Sequence, residues 1–153
     1  MLGPIRFAVA LIGCGIFVTA CGQESGASPA QQAAPVAASY DFTALLAKAD
    51  PDKGKVLFLQ CRACHSTEQG GANKVGPNLH GVFGRQAGKA PGFAYSEVVT
   101  GSDVHWSPET LDRWLTRPSE FLPGNRMVFV GIPKPEDRAN LIAYLQRETT
   151  AAP

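Results

Sequence analysis

The stretch Cys61-Arg62-Ala63-Cys64-His65 places two thiols at positions i and i+3 and an imidazole directly after the second. Thiols at that spacing reach the two vinyl groups of one porphyrin. The adjacent imidazole then falls beneath the iron, so the pattern predicts one covalently attached haem c. A zinc ribbon would need a second cysteine pair or more histidines at ligand spacing. A thioredoxin-like redox pair would need a preceding strand in a parallel sheet, and neither context surrounds the motif.

The other two cysteines, Cys14 and Cys21, lie in and at the end of an N-terminal apolar run, so no pair is left for a disulfide. Arg6 precedes the run Phe7 to Ala20, whose 14 residues suit a secretory signal and fall short of the roughly 20 that span a bilayer. The run closes with Val18-Thr19-Ala20-Cys21, which resembles a bacterial lipobox. Residues 1–20 are therefore expected to be a signal peptide, with Cys21 acylated as the new N-terminus; several acyl chains anchor stably because each buried methylene adds about 0.8 kcal/mol. Cleavage after Ala20 by the ordinary signal peptidase, or an uncleaved helix over 2–22, are the competing readings. Residues 21–40 are expected to form a flexible linker, since 22–39 hold Ala, Gln, Ser, Pro and Gly with Val36 as the one large apolar residue and burial cannot offset the entropy of ordering them.

The remainder, 41–153, is of a size for one small domain. It carries 13 Lys/Arg against 12 Asp/Glu, a balance that argues against a nucleic-acid partner. Asp50-Pro51 reads as an N-cap and first helical residue delivering the chain into Cys61. Ser107-Pro108-Glu109 repeats that grammar, with Leu111, Trp114 and Leu115 at helical spacing until Pro118. A last helix is predicted from near Pro135, with Glu136 and Asp137 in its first turn and Leu141, Ile142 and Leu145 on its apolar face. Glycine and proline punctuate 66–94, a loop long enough to need something to wrap. No run alternates as a strand does, so the expected class is all-α: helices and long loops around one haem.

A second axial ligand must come from Met127, His80 or His105 once Met1 leaves with the signal. Met127 follows Pro123-Gly124 in a loop that can turn its thioether inward, whereas a methionine serving as core filler would more naturally sit on a helix.

From Gly54 to Thr149 the chain resembles a class I cytochrome c of the mitochondrial and bacterial short-chain type. The resemblance is carried in order by Cys61 to His65, Gly76-Pro77-Asn78-Leu79-His80-Gly81, Phe83-Gly84-Arg85, Ala90-Pro91-Gly92-Phe93-Ala94-Tyr95, Trp106, Pro123-Gly124-Asn125-Arg126-Met127 and Leu141-Ile142-Ala143-Tyr144-Leu145. It implies that His65 and Met127 ligate the iron and that the Pro77 carbonyl accepts from the other ring nitrogen of His65. It further implies that Arg85, Tyr95 and Trp106 serve the haem propionates, that Phe58 and Leu141 mark a helix crossing, and that Phe129 covers the haem edge. Two positions depart from the mitochondrial pattern near the iron: Trp114 replaces a tyrosine and Val99 an asparagine, so the polar network near Met127 should be thinner. Gln60, Ser119 and Glu120 stand where lysines crowd the mitochondrial docking face, with Lys74, Arg126 and Lys134 kept, so steering by charge should be weak.

The implied function is a one-electron carrier, not an enzyme, in a bacterial respiratory or photosynthetic chain. Quinol-cytochrome c oxidoreductase or a periplasmic dehydrogenase would be the donor, and a terminal oxidase or reaction centre the acceptor. The expected location is the periplasmic side of a bacterial membrane, the protein a lipid-anchored monomer. A peroxidase would need an open sixth position, and a fixed relay subunit would not need the linker.

Overall fold

The structure is a computed structural model and describes residues 40–150; the expected signal peptide, Cys21 and the linker up to 39 lie outside the described residues. Six helices follow in order: α1 (Phe42–Leu46), α2 (Pro51–Phe58), α3 (Glu97–Thr100), α4 (Pro108–Thr116), α5 (Pro118–Phe121) and α6 (Pro135–Thr149). Among the described residues there is no strand, only an isolated antiparallel bridge between Gln86 and His105. The all-α class is as the sequence implies.

Helices α2 and α4 begin at their predicted caps, and α6 begins at Pro135 as expected, with no side-chain cap. The Asp50 carboxylate accepts from the backbone N–H of Asp52 and Lys53 at 2.9 and 3.3 Å. At α4 the Ser107 hydroxyl accepts from Thr110 N at 3.2 Å and the Thr110 hydroxyl from Ser107 N at 2.7 Å, a capping box closed by threonine in place of the usual Glu or Gln. Helices α1, α3 and α5 were not foreseen. Each has four or five residues, too few to form from propensity alone, so the folded body must hold them. Pro118, expected only as a stop for α4, also opens α5, because a proline at the first helical position lacks only an N–H that no helix there would use.

Helices α2 and α6 cross at Gly54, where a Cβ would lie 2.0 Å from the Asn140 carbonyl oxygen. Only glycine permits that approach. Phe58 packs on Tyr144 with ring centroids 5.2 Å apart, and Asn140 Oδ1 accepts from Asp50 N at 2.7 Å. Phe58 and Leu141 both lie in the buried cluster with Leu111, Trp114, Leu115, Ile142 and Leu145. The crossing holds the end of α2, and with it Cys61, against the C-terminal helix. Helix α4 packs on the same α6, so α2, α4 and α6 form the frame and the long loops fill in around it.

A buried ion pair joins that frame to the chain's N-terminal side. Arg138 on α6 donates through Nε to Asp112 of α4 at 2.7 Å, with 2% and 5% of the two side chains exposed. The Tyr40 hydroxyl donates to the other Asp112 oxygen, and its ring lies under the guanidinium, 5.4 Å from ring centroid to Cζ. Arg138 also donates to the carbonyls of Ile132 and Pro133 at 2.7 and 3.0 Å.

Candidate functional site

The motif continues α2 as a tight turn. Cys61 N and Arg62 N donate to Phe58 O, while Cys64 N and His65 N donate to Cys61 O at 3.0 and 2.9 Å. These bonds impose near-helical geometry, so positions i, i+3 and i+4 project to one side. Cys61, Cys64 and His65 accordingly line one cavity of about 520 Å³, within the size range of sites that enclose a small organic group. Both thiols are free, with no disulfide between them. Burial, with the neighbouring Cys64 adding, pushes the Cys61 thiol up to about 11, so before attachment it stays protonated at neutral pH.

His65 Nδ1 lies 2.8 Å from the Pro77 carbonyl oxygen. A carbonyl can only accept, so Nδ1 carries the proton and the neutral ring keeps Nε2 bare, as a metal ligand must be. Burial lowers the His65 pKa; the Pro77 bond opposes that and the Lys74 charge adds to it. Neutrality of the ring is thus favoured by its surroundings. Gly76 lies against the same ring: a Cβ there would sit 2.3 Å from Cε1. Lys74 Nζ donates to the carbonyls of Arg62 and His65 at 2.8 and 3.3 Å and so ties down the end of the turn.

Across the cavity, Met127 and Phe129 come from the loop between α5 and α6, and Trp114, Leu115 and Leu111 from α4. Pro77, Arg85, Tyr95 and Trp106 line it as well, so the eight sequence-named residues share one cavity. His80 and His105 do not line it. His80 Nδ1 is buried without a hydrogen-bond partner among the described residues, and His105 is exposed with its Nδ1 3.2 Å from the Asp103 carbonyl oxygen.

The polar wall differs in detail from the implied set. Arg85 spends Nη1 on the His80 carbonyl at 2.9 Å and Nη2 on the Asn78 carbonyl at 3.2 Å. Three of the five N–H donors of a guanidinium therefore remain for another acceptor. Burial lowers the Arg85 pKa while the Tyr95 phenol opposes that. The Tyr95 pKa is raised by burial, with the Ala90 backbone and Arg85 pulling it down. Ser96 and Asn125 also line the cavity, and the buried Ser96 hydroxyl has no partner among the described residues. Ser96 belongs to no motif, and Asn125 stands inside the Pro123–Met127 run of the family pattern with no role implied for its side chain. Trp114 stacks edge-to-face on Trp106 at 5.5 Å and on Phe121 at 6.0 Å. At the rim, Val75 and Val128 are 82% and 102% exposed. Arg126 donates to the Ala94 carbonyl at 2.8 Å and is, like Lys74, partly engaged by the chain itself.

The donor set fits a haem: two unpaired thiols beside an imidazole fixed with Nε2 bare, a thioether, an apolar wall, and an orphaned hydroxyl with unspent guanidinium donors where carboxylates need partners. A helical body built around such a cavity defines a c-type cytochrome. The chain belongs to the cytochrome c family, whose model, described as "Cytochrome c", matches residues 51–148. It is 43% identical over 102 residues to cytochrome c of Ginkgo biloba, covering 66% of this chain and 90% of that one. Cytochrome c of Chlamydomonas reinhardtii is 50% identical over 95 residues, 62% and 85% of the two chains. Cytochrome c2 of Rhodoblastus acidophilus is 45% identical over 98 residues, 64% and 92% of the two chains. The chain therefore carries covalently bound haem c and is an electron carrier with redox proteins as partners.

Proposed function

We propose that this protein is a His65/Met127-ligated carrier working between membrane complexes of a bacterial respiratory or photosynthetic chain. The observation that carries the reading is that Met127 and His65 line one cavity while His80 and His105 do not. Haem c supplies a reversible one-electron couple, and methionine ligation raises its potential. The protein's part is to exclude water, hold both ligands so that oxidation and reduction need little rearrangement, and offer the propionates the charge of Arg85 and the hydrogen-bond donors of Arg85, Tyr95 and Trp106. The fixed Nδ1 proton of His65 makes its other nitrogen a steady donor.

Cys21 holds the protein by its lipid to the periplasmic side of the membrane, and the linker lets the head reach a quinol-oxidising complex or dehydrogenase on one side and an oxidase or reaction centre on the other. The resemblance to a bacterial cytochrome c2 supports that setting. Docking rests on exposed Val75 and Val128 more than on charge, since Gln60, Ser119 and Glu120 stand where the mitochondrial docking face carries lysines. The visible and near-infrared spectrum of the oxidised full-length protein, taken with its potential, tests the ligation. A thioether charge-transfer band is expected in the wild type and absent from Met127→Leu; carbon monoxide binding by the reduced wild type would defeat the carrier reading. Cys21→Ala should release the head from membranes.

A further inference from the structure

Both N–H donors of the Asn125 amide and its oxygen are engaged by the chain beside Met127. Its Nδ2 donates to the carbonyls of Pro118 and Leu122, both at 2.9 Å, and its Oδ1 accepts from Met127 N at 2.9 Å. Pro118 is fully buried at the start of α5, and Asn125 N donates to Leu122 O at 3.1 Å as well. The side chain thus bridges a rigid point on α5, the turn at Leu122 and the backbone of Met127.

The other end of the same loop is also pegged. Ile132 N donates to Leu115 O at 2.8 Å, and Gly131, at φ +103°, passes so close to α4 that a Cβ would meet the Thr116 carbonyl oxygen at 2.0 Å. Between the pegs the chain carries Val128 and Val130 fully outward, at 102% and 87% exposed. Those residues give the segment no grip on the core. Met127 and Phe129 face the cavity between them. A methionine on such a strap keeps its position only as well as its pegs do.

We infer that Asn125 is a positioning residue for Met127: its amide, and not contact with the cofactor, sets the depth and direction of the thioether. The inference rests on Met127 being the second ligand. Although Asn125 lines the cavity, both its N–H donors are spent on the protein, so it has none for a propionate. Removing the amide would leave the Met127 N–H to find water and the Pro118 and Leu122 carbonyls with only their backbone donors, Leu122 N and Asn125 N at 3.1 Å, which loosens the strap at the ligand and not at the α2–α6 crossing.

The test is displacement of Met127 by exogenous imidazole in the oxidised holoprotein, followed with the thioether band. In Asn125→Ala, imidazole should bind about tenfold more tightly than in the wild type, the change that one net hydrogen bond or slightly more corresponds to. Asn125→Asp keeps the acceptor for Met127 N but turns its second oxygen on the Pro118 and Leu122 carbonyls, so it should bind imidazole at least as tightly as the alanine variant and serves if that variant does not mature. Asn140→Ala is the comparison, an amide at the α2–α6 crossing whose Oδ1 accepts from Asp50 N at 2.7 Å; it should lower thermal stability with imidazole affinity unchanged. Imidazole affinity within twofold of wild type in both Asn125 variants, with the band present in wild type and lost in Met127→Leu, would overturn the inference and leave the ligation standing. A wild type without the band would overturn both.

Discussion

Replacing Asp112 by alanine removes the anion paired with the buried Arg138 guanidinium. In the native protein Arg138 has four partners: the Asp112 carboxylate at 2.7 Å, the carbonyls of Ile132 and Pro133 at 2.7 and 3.0 Å, and the Tyr40 hydroxyl. With 2% of its side chain exposed, it cannot recover hydration without opening the contact between α4 and α6. Breaking a buried pair costs about 3–5 kcal/mol; three neutral partners survive here, so a loss near 3 kcal/mol is expected. That is a large share of the roughly 5–15 kcal/mol that holds a domain folded. Tyr40→Phe removes one hydroxyl and keeps the ring under the cation, so it should cost only about 1 kcal/mol. The double change Asp112→Ala with Arg138→Met removes both charges and should cost less than the sum of the two single changes. Urea unfolding of the holoprotein at neutral pH, followed by far-ultraviolet circular dichroism, measures all four. An Asp112→Ala loss below about 1 kcal/mol, the worth of one ordinary hydrogen bond, or strict additivity in the double variant, would refute the argument that desolvation governs this pair.

Gly76→Ala drives a methyl group to 2.3 Å from the His65 ring and should break the Nδ1 bond to Pro77, so haem per mole of purified chain should fall severalfold. Gly70→Ala meets no atom within 4 Å at φ +70°, should cost only the ~1–2 kcal/mol of left-handed backbone strain, and should leave haem content unchanged. Tyr40, Tyr95 and Tyr144 all have pKa values raised first by burial. In the unfolded chain they ionise near pH 10 while the folded protein still holds the protons; their contribution to stability is therefore complete below about pH 10 and lost as pH rises through the folded values. The urea midpoint should drop across that window, and Tyr95→Phe should flatten the drop. Trp114→Tyr exchanges an indole stacked on Trp106 and Phe121 for a phenol facing the cavity, so the redox potential should shift; a potential unchanged in voltammetry would show that this position does not tune the iron.

Much of the fold could be read from local grammar. The Asp50 and Ser107 caps, the prolines at the first helical positions and the apolar spacing of α4 and α6 act within a few residues, so sequence reveals them directly. The short helices escaped because a helix of four residues has no periodicity to detect and exists only where its surroundings hold it. For the same reason Pro118 looked like a terminator alone. At the site, residues belonging to a motif were visible: Cys61, Cys64 and His65 by spacing, Pro77, Arg85, Tyr95, Trp106 and Met127 through the family pattern. Ser96 lies beside a motif residue and Asn125 within the Pro123–Met127 run, with no role implied for either side chain, since an amide or hydroxyl gains a role only from the partners that folding brings to it.

What the sequence by itself determined is covalent and local: two thiols and an imidazole at i, i+3 and i+4, which commit the chain to a haem, caps that start α2 and α4, and a first-position proline that starts α6. The tertiary structure alone decided that Arg138, Asp112 and Tyr40 form one network across residues 40 to 138, that Arg85 shares its donors with the backbone, and that Asn125 holds the Met127 loop. The physical reason is range. Thioether spacing and helix capping are satisfied within one turn of chain, whereas desolvation and the pairing of buried polar groups depend on neighbours supplied by distant segments.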